Sequence, residues 1–535
     1  MKNRITFAAI LAIVIIGALF VGSVIGQSRF VDLSLYGLVA LVFLYLGFLY
    51  KFTWQIVLFL VWSGVQLNYG FKLSSQEYAA AILILYGLII FLLRKNPYPN
   101  PNFLNRVNSR SLLFFCGILL LYGSMTFALN RIAPYGGGDY ALKNMLKAYA
   151  STFAPILILF LALRTPYTFK IGGKVIPTIL GILCVALLLN FANTLYLFRQ
   201  GYGGASFMSE DNGAIGMFYI PIINATLGVF TMRALAPIAV IFSFAFLCQP
   251  GWFKSQTLFL KMAALSVLVM GLLGSVVSGG RAAVLLSLMY IVVIAFLYRQ
   301  ILLIFASLCL TTLLILFVNL FSNFINTDMP SYVARPLQYV MVEKGDSMRS
   351  IENSSDYRGA LYSEAIKEWK GDTRVFLFGR SVYSAMEYDK LKSIVGDKES
   401  FIMVNLNSGT CHALLPSVLL QYGILGGLLY YLVYLMIFRF FWRSYQVSKD
   451  PIYSEELRII SFLLMISTGL GILIATIGGS WFGAFHIMMI LLVKSIAARD
   501  EQAYFAGLEV EGETPVVSPR PRAGAIGARP GFARS

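Results

Sequence analysis

Long apolar segments separated by short polar ones repeat along almost the whole chain. About fourteen of them approach the roughly 20 residues that an apolar helix needs to cross a membrane. Their approximate bounds are 5–25, 32–50, 52–69, 77–93, 111–129, 146–164, 176–195, 218–248, 259–277, 282–298, 301–321, 412–437, 458–477 and 480–496. The stretch 218–248 is too long for one straight crossing at about 1.5 Å per residue, so we expect an interfacial piece followed by a span. The pattern predicts an all-α polytopic membrane protein.

The basic residues of the short connections predict which side each connection faces. Residues 94–110 contain four basic side chains and no acidic one, which places this connection in the cytoplasm. Counting spans from it places both termini and further basic connections on the cytoplasmic side, namely 164–174, 249–254, 298–300 and 438–457. By the same count, the opposite side holds 130–140, 199–213, 278–281 and the long segment 322–411.

Composition restricts the class of protein. With 58% hydrophobic and 13% charged residues, the chain has too little polar surface for a soluble globular protein. Its net charge of +17 comes mainly from the predicted cytoplasmic connections, so topology explains the charge and no nucleic-acid partner is expected. The five cysteines show no close pair and no zinc-like spacing, and we predict no metal site and no cofactor.

These patterns divide the chain into four parts. Residues 1–321 form the first part of the transmembrane bundle, 322–411 a large helical loop on the external side, and 412–498 the last transmembrane helices. Residues 499–535 carry Pro, Gly and Arg without an apolar period, which predicts a disordered cytoplasmic tail. The external loop of about ninety residues is far longer than an ordinary connection, so we expect it to carry function.

The external segment contains a predicted helix with a basic residue near its start. Ser354–Asp356 offer an N-cap, and an apolar stripe follows at helical spacing, formed by Tyr357, Leu361, Ala365 and Trp369. Arg358 falls in the predicted first turn, where a cation opposes the helix dipole unless an anion is bound beside it. A salt bridge with Asp356 is the alternative. Further on, the apolar run Phe376–Phe378 ends at Gly379, which predicts a turn that returns the chain to the membrane surface.

Two arginines adjoin or interrupt the apolar segments. Arg281 follows Gly279 and Gly280 at the predicted outer end of a span, where an arginine either contacts phosphate or extends to lipid headgroups. Arg233 lies inside the long stretch 218–248 and is a weaker candidate for the same role.

One of the two histidines begins a predicted span. His412 opens the first span after the external segment, within reach of the outer aqueous boundary. A neutral imidazole near cations has its protonated form disfavoured, which suits a general base. Downstream glycines at 423, 426 and 427 form a smooth patch that allows close approach of another helix. His486, inside the last predicted span, is expected to be structural.

In order and spacing, these motifs resemble the O-antigen ligase and polymerase superfamily over roughly residues 215 to 440. The matching residues are, in chain order, Arg281 and Leu285, then Arg358, then His412 with Gly423 and Gly426. The resemblance implies a GT-C-like glycosyltransferase of the bacterial inner membrane, inverting and independent of metal, whose active site faces the periplasm.

The resemblance also implies roles for single residues. Arg281 and Arg358 would hold the diphosphate of an undecaprenyl-diphosphate-linked glycan donor, with Arg233 as an additional contact. His412 would take the proton from the acceptor hydroxyl. The acceptor is lipid A-core in the ligases and another lipid-linked repeat unit in the polymerases. Ala413 and Gly280 differ from the residues usual at these places in ligases, so both activities stay open.

Two other classes of function remain as alternatives. A lipid-linked oligosaccharide flippase also has about fourteen spans, but the long external segment and the few charged residues within the spans, mainly Arg233 and Lys261, argue against it. A membrane scaffold is the third alternative. It predicts that replacing His412 or Arg281 changes only stability.

Overall fold

The structure is a computed structural model of the single chain. It describes residues 52–67, 75–93, 97–99, 101–129, 155–160, 162–164, 167–172, 174–199, 219–220, 225–227, 231–249, 254–278, 281–327, 337, 341, 347–380, 402, 406, 411, 414–478 and 484–511. The predicted spans 5–25 and 32–50 lie outside these residues.

The described part of the chain is mainly helical, as predicted. Its helices are α1 (Thr53–Ser63), α2 (Ser75–Leu93), α3 (Phe103–Val107), α4 (Arg110–Leu129), α5 (Val175–Arg199), α6 (Thr231–Cys248), α7 (Leu258–Val277), α8 (Arg281–Leu297), α9 (Ile301–Leu320), α10 (Ser322–Thr327), α11 (Ser347–Gly371), α12 (Thr373–Phe378), α13 (Leu414–Val447), α14 (Glu455–Gly478) and α15 (Ala484–Glu511). A continuous core of buried apolar side chains extends along the chain from Trp54 to Ala497.

Several helices have the length and composition of membrane spans. Within the described residues, four segments are long and apolar enough to cross a bilayer, namely Val175–Asn193, Leu258–Val277, Leu415–Val447 and Glu455–Leu473. Shorter apolar helices occupy Thr53–Ser63, Tyr78–Gly87, Arg110–Thr126, Pro155–Arg164, Met232–Cys248 and Ala283–Leu297. The chain therefore has the character of a membrane protein.

The predicted span 52–69 is wrong as one continuous helix. Helix α1 stops at Gly64, which takes the left-handed conformation with φ 65° and donates its backbone N–H to the Leu60 carbonyl. Eleven helical residues rise only about 16 Å, roughly half the thickness of a bilayer core. The chain continues as a short strand, β1 (Val65–Leu67).

Strand β1 belongs to a small sheet, whose other two strands lie in the first part of the overlong stretch 218–248. Strands β2 (Tyr219–Ile220) and β3 (Ala225–Leu227) precede α6, and β3 pairs antiparallel with both β1 and β2. This agrees with the expected division of the stretch into a short non-spanning piece followed by an apolar helix. The sheet itself was not predicted, because strands of two or three residues are too short to show an alternating pattern.

The last helix extends beyond the predicted boundary of the transmembrane bundle. Helix α15 reaches Glu511, so residues 499–511 are helical, contrary to the predicted disorder from residue 499. Two charged residues in this extension, Asp500 and Glu501, are buried and accept hydrogen bonds from distant parts of the chain. The rest of the predicted tail, 512–535, lies outside the described residues.

Candidate functional site

Helices α6, α7 and α8 meet at a corner that contains two of the predicted arginines. Arg281 is the first residue of α8. Arg233, in the first turn of α6, is half-buried, and its Nε donates to the carbonyl of Ser278 at 3.0 Å. Ser278 caps the C-terminus of α7, where a cation interacts favourably with the helix dipole. Arg233 therefore fixes the end of α7 three residues before Arg281.

Small residues allow the helices at this corner to pack closely. A Cβ atom added at Gly274 would lie 2.9 Å from the Met232 sulfur, and one at Gly271 would lie 3.1 Å from Val240 Cγ2. The hydroxyls of Ser275 and Ser287 form a buried hydrogen bond of 2.7 Å between α7 and α8. Close backbone contact and a buried polar link together make the corner well defined.

The predicted external helix is present, but it begins earlier than its capping pattern indicated. Helix α11 starts at Ser347, so Arg358 lies in the fourth turn and not in the first. The helix dipole therefore does not disfavour the charge of Arg358, because the dipole acts mainly within the terminal turn. The side chain of Arg358 is exposed and remains accessible to an anionic ligand.

The apolar stripe of α11 is confirmed, and it packs against Cys411, the residue before the predicted base. Leu361 and Ala365 are fully buried in a small cluster with Cys411 and Leu420, and the flanking stripe residues Tyr357 and Trp369 pack against it. The backbone N–H of Cys411 donates to Ser417 Oγ at 2.9 Å. Cys411 immediately precedes His412, which itself lies outside the described residues.

The glycine patch of α13 marks a break in that helix. Gly423 has φ 65° and ψ −172°, a conformation that only glycine adopts readily. A Cβ atom at Gly423 would overlap the backbone of Leu377 and Phe378, and one at Gly379 would overlap the backbone of Gln421 and Tyr422. The predicted close approach is confirmed for Gly423, and the partner is the end of the short helix α12.

The end of α12 is joined to the break by hydrogen bonds. The backbone N–H of Arg380 donates to the Leu420 carbonyl at 3.0 Å. Tyr122 of α4 donates its hydroxyl hydrogen to the Tyr422 carbonyl at 2.7 Å, and its ring occupies the space over Gly426. These donors satisfy carbonyls that the broken helix leaves without their usual intrahelical partners.

Arg380 connects three separate pieces of chain around this break. Its side chain is only 7% exposed, pairs with Glu368 of α11, and also donates to the carbonyl of Leu406. The charges of Arg380 and Glu368 both affect the pKa of the Cys411 thiol. Burial raises the pKa of that thiol to about 11, while the hydrogen bond with Ser417 and the charge of Arg380 act in the opposite direction.

Sequence reasoning identified the glycines but missed Arg380 and Tyr122. Arg380 and Glu368 are twelve residues apart, a spacing that brings no side chains together on one helix. The described contacts bring the predicted residues together in two groups: Arg233 with the corner at Arg281, and the Arg358 helix with the chain preceding His412.

Comparison with known proteins provides no further assignment. No family model matches the chain, and no curated protein matches it significantly. What the chain shows in its own right is a helical protein with apolar helices of membrane-spanning length.

Proposed function

We propose that the protein is an O-antigen ligase-like membrane glycosyltransferase that moves a glycan from an undecaprenyl-diphosphate carrier to an acceptor hydroxyl at the periplasmic face. The acceptor is lipid A-core or a similar molecule. A polysaccharide polymerase of the same superfamily is the second candidate, because the residues that resemble the family are shared by both activities.

The observation that carries the proposal is the docking of α11 beside Cys411. This contact brings the helix of the exposed Arg358 to the residue that precedes His412, the two residues being far apart in sequence. A cation near a neutral histidine at the start of an apolar helix is suited to binding an anionic donor and deprotonating an acceptor.

In the proposed reaction, His412 takes the proton of the acceptor hydroxyl as its oxygen attacks the anomeric carbon of the glycan. The bond between that carbon and the carrier phosphate breaks, and the carrier diphosphate leaves with the bonding electron pair. Arg281 and Arg358 stabilise the charge that develops on the diphosphate. Attack opposite the leaving group inverts the anomeric configuration, and the reaction needs no metal.

A strain that lacks the protein provides the first test. It is complemented with the wild type, with His412→Ala, or with His486→Ala, which replaces the histidine that packs between Tyr434 and Phe485. We expect His412→Ala to abolish glycan transfer and His486→Ala to retain it at equal protein levels. Surface glycans and carrier-linked intermediates are compared on gels. Transfer at the wild-type rate by His412→Ala would contradict the proposal.

The pattern in the deletion strain distinguishes the two activities. Long polymer on the carrier with bare acceptor indicates a ligase, whereas single repeat units on the acceptor indicate a polymerase. An unchanged glycan pattern would rule out both the ligase and the polymerase activity. Arg358→Ala, with the exposed Arg374→Ala of the same segment as its matched control, tests whether the position on α11 matters beyond its charge.

A further inference from the structure

Three segments converge on the chain that leads into His412, and one buried residue, Arg380, contacts all of them through its side chain or its backbone. Helix α11 contributes Glu368, the chain near Leu406 contributes its carbonyl, and α13 contributes the Leu420 carbonyl through the backbone of Arg380. The cluster around Cys411 lies among the same segments, since Leu406 and Leu420 pack in it with Leu361.

Arg380 joins these segments through polar contacts with a carboxylate of α11 and with two backbone carbonyls. An arginine has several N–H donors in a fixed planar fork, so one side chain can satisfy a carboxylate and a carbonyl at the same time. Lysine carries the same charge on a single compact group and cannot reproduce both directions together. A buried guanidinium is also costly without its partners, which favours one arrangement of the surrounding backbone.

The neighbouring α11–α12 turn is fixed independently. Trp369 stacks on Phe376 with ring centroids 4.8 Å apart, and its Nε1 donates to the Phe376 carbonyl at 3.1 Å. Asp372 caps α12 by accepting from the Arg374 N–H at 2.7 Å. Arg380 follows α12 closely in the chain. Its contacts therefore link the fixed α11–α12 turn to Leu406 and to α13.

We propose that Arg380 is a positioning residue that holds the backbone leading into His412 in the arrangement needed for transfer. The catalytic part of this inference rests on the proposed function. The structural part does not, because the buried thiol of Cys411, directly before His412, reports the same arrangement without any glycan.

The experiment measures how fast Cys411 is alkylated by a maleimide at pH 8 in the purified full-length protein. The modified peptide is quantified by mass spectrometry, so the other cysteines need no replacement. The wild-type thiol is buried and mainly protonated, and reacts slowly. We expect Arg380→Ala to raise the rate by on the order of tenfold, because local opening becomes easier. Lys367→Ala, an exposed position of α11, is the matched control and should leave the rate unchanged.

Two milder variants keep the test decisive if Arg380→Ala does not fold. Arg380→Lys retains the charge but loses the second donor direction, and Glu368→Gln retains the shape but loses the ion pair. Both should raise the alkylation rate by less than the alanine variant. A folded set of variants in which Cys411 reacts at the wild-type rate would overturn the proposal.

Transfer kinetics then separate positioning from direct substrate binding. A positioning role predicts that kcat falls about tenfold in Arg380→Ala while KM for the donor stays within about twofold, with partial rescue by lysine. If transfer is lost while Cys411 stays protected, Arg380 acts on the substrate and the positioning role is wrong. If alkylation rises as expected but His412→Ala leaves transfer intact, the proposed function fails and the structural role of Arg380 stands.

Discussion

At the residue scale, Gly423 is a position with little tolerance for change. Its backbone conformation belongs to a region that other residues avoid, and the α12 backbone occupies the space where a Cβ would lie. Four residues later, Gly427 has no such restriction, since a Cβ there would meet Leu419 at 3.4 Å in ordinary contact. The two glycines look alike in the sequence and differ completely in the structure.

Gly423→Ala should therefore lower the free energy of unfolding by about 2 kcal/mol or more, through backbone strain and overlap with Leu377. Gly427→Ala is the matched control and should change stability by less than about 1 kcal/mol, because alanine favours helix more than glycine does. Thermal unfolding of the purified proteins in detergent measures both. Equal losses for the two variants would be inconsistent with the backbone strain and close approach described at Gly423.

The glycine patch also shows how far sequence reasoning reaches at this scale. Close approach at Gly423 and Gly426 was predictable because glycines within an apolar helix favour it. The identity of the partners was not, since Leu377 and Tyr122 come from distant segments without a common pattern. Arg358 was found as a candidate, but its turn was misplaced because Ser354–Asp356 is a capping pattern inside a longer helix.

At the element scale, the end of α15 supports helices that lie far away in sequence. Glu501 is buried and accepts the backbone N–H groups of Asn102 and Phe103 at 2.8 Å each, at the start of α3. It also accepts the hydroxyl hydrogen of Tyr453 at 2.8 Å. Burial and the charge of Glu501 both raise the pKa of Tyr453, so the phenol keeps the proton that it donates.

Glu501→Ala leaves those buried donors without their carboxylate and should lower the free energy of unfolding by about 2–3 kcal/mol. Glu455→Ala serves as the control, because its ion pair with Arg458 is largely exposed and contributes at most about 0.5 kcal/mol. Chemical or thermal unfolding in detergent compares them. A loss of similar size in both variants would refute the capping role of Glu501.

At the scale of the whole molecule, the connections predicted to share one side contact one another. Arg106 pairs with Asp450 at 2.8 Å, the Val175 N–H donates to Glu456 at 2.8 Å, and Gln249 donates to Glu455 at 3.3 Å. Partial burial raises the pKa of Asp450, but the hydrogen bond and charge of Arg106 outweigh this effect and hold the pKa below its usual value. The grouping agrees with the parity counted from basic residues.

The assignment of this group to the cytoplasm has a direct test. Lys367→Cys lies on the exposed face of α11, and Lys449→Cys lies just beyond the end of α13. We expect a membrane-impermeant maleimide to label Lys367→Cys in sealed spheroplasts, and Lys449→Cys only after lysis. The unsubstituted chain gives the background. Labelling in the reverse order would contradict the proposed topology, because it would place the proposed active site on the cytoplasmic side.

The sequence predicted the helical content better than it predicted the length of single elements. Apolar composition indicates a membrane environment, but it does not show where Gly64 ends α1 or that β3 pairs with β1. The strand pairing depends on contacts between segments more than 150 residues apart in the chain. The number of spans, about fourteen, stays a prediction.

The bond between Asn102 and Glu501 has a consequence for biosynthesis. The two residues are separated by 399 positions, so the ribosome must synthesise all of the intervening chain before the start of α3 acquires its cap. Until then, the first helices must be inserted and held in the bilayer without that contact. Assembly of the helix ends joined by Glu501 is therefore expected to be a late event, completed when α15 emerges.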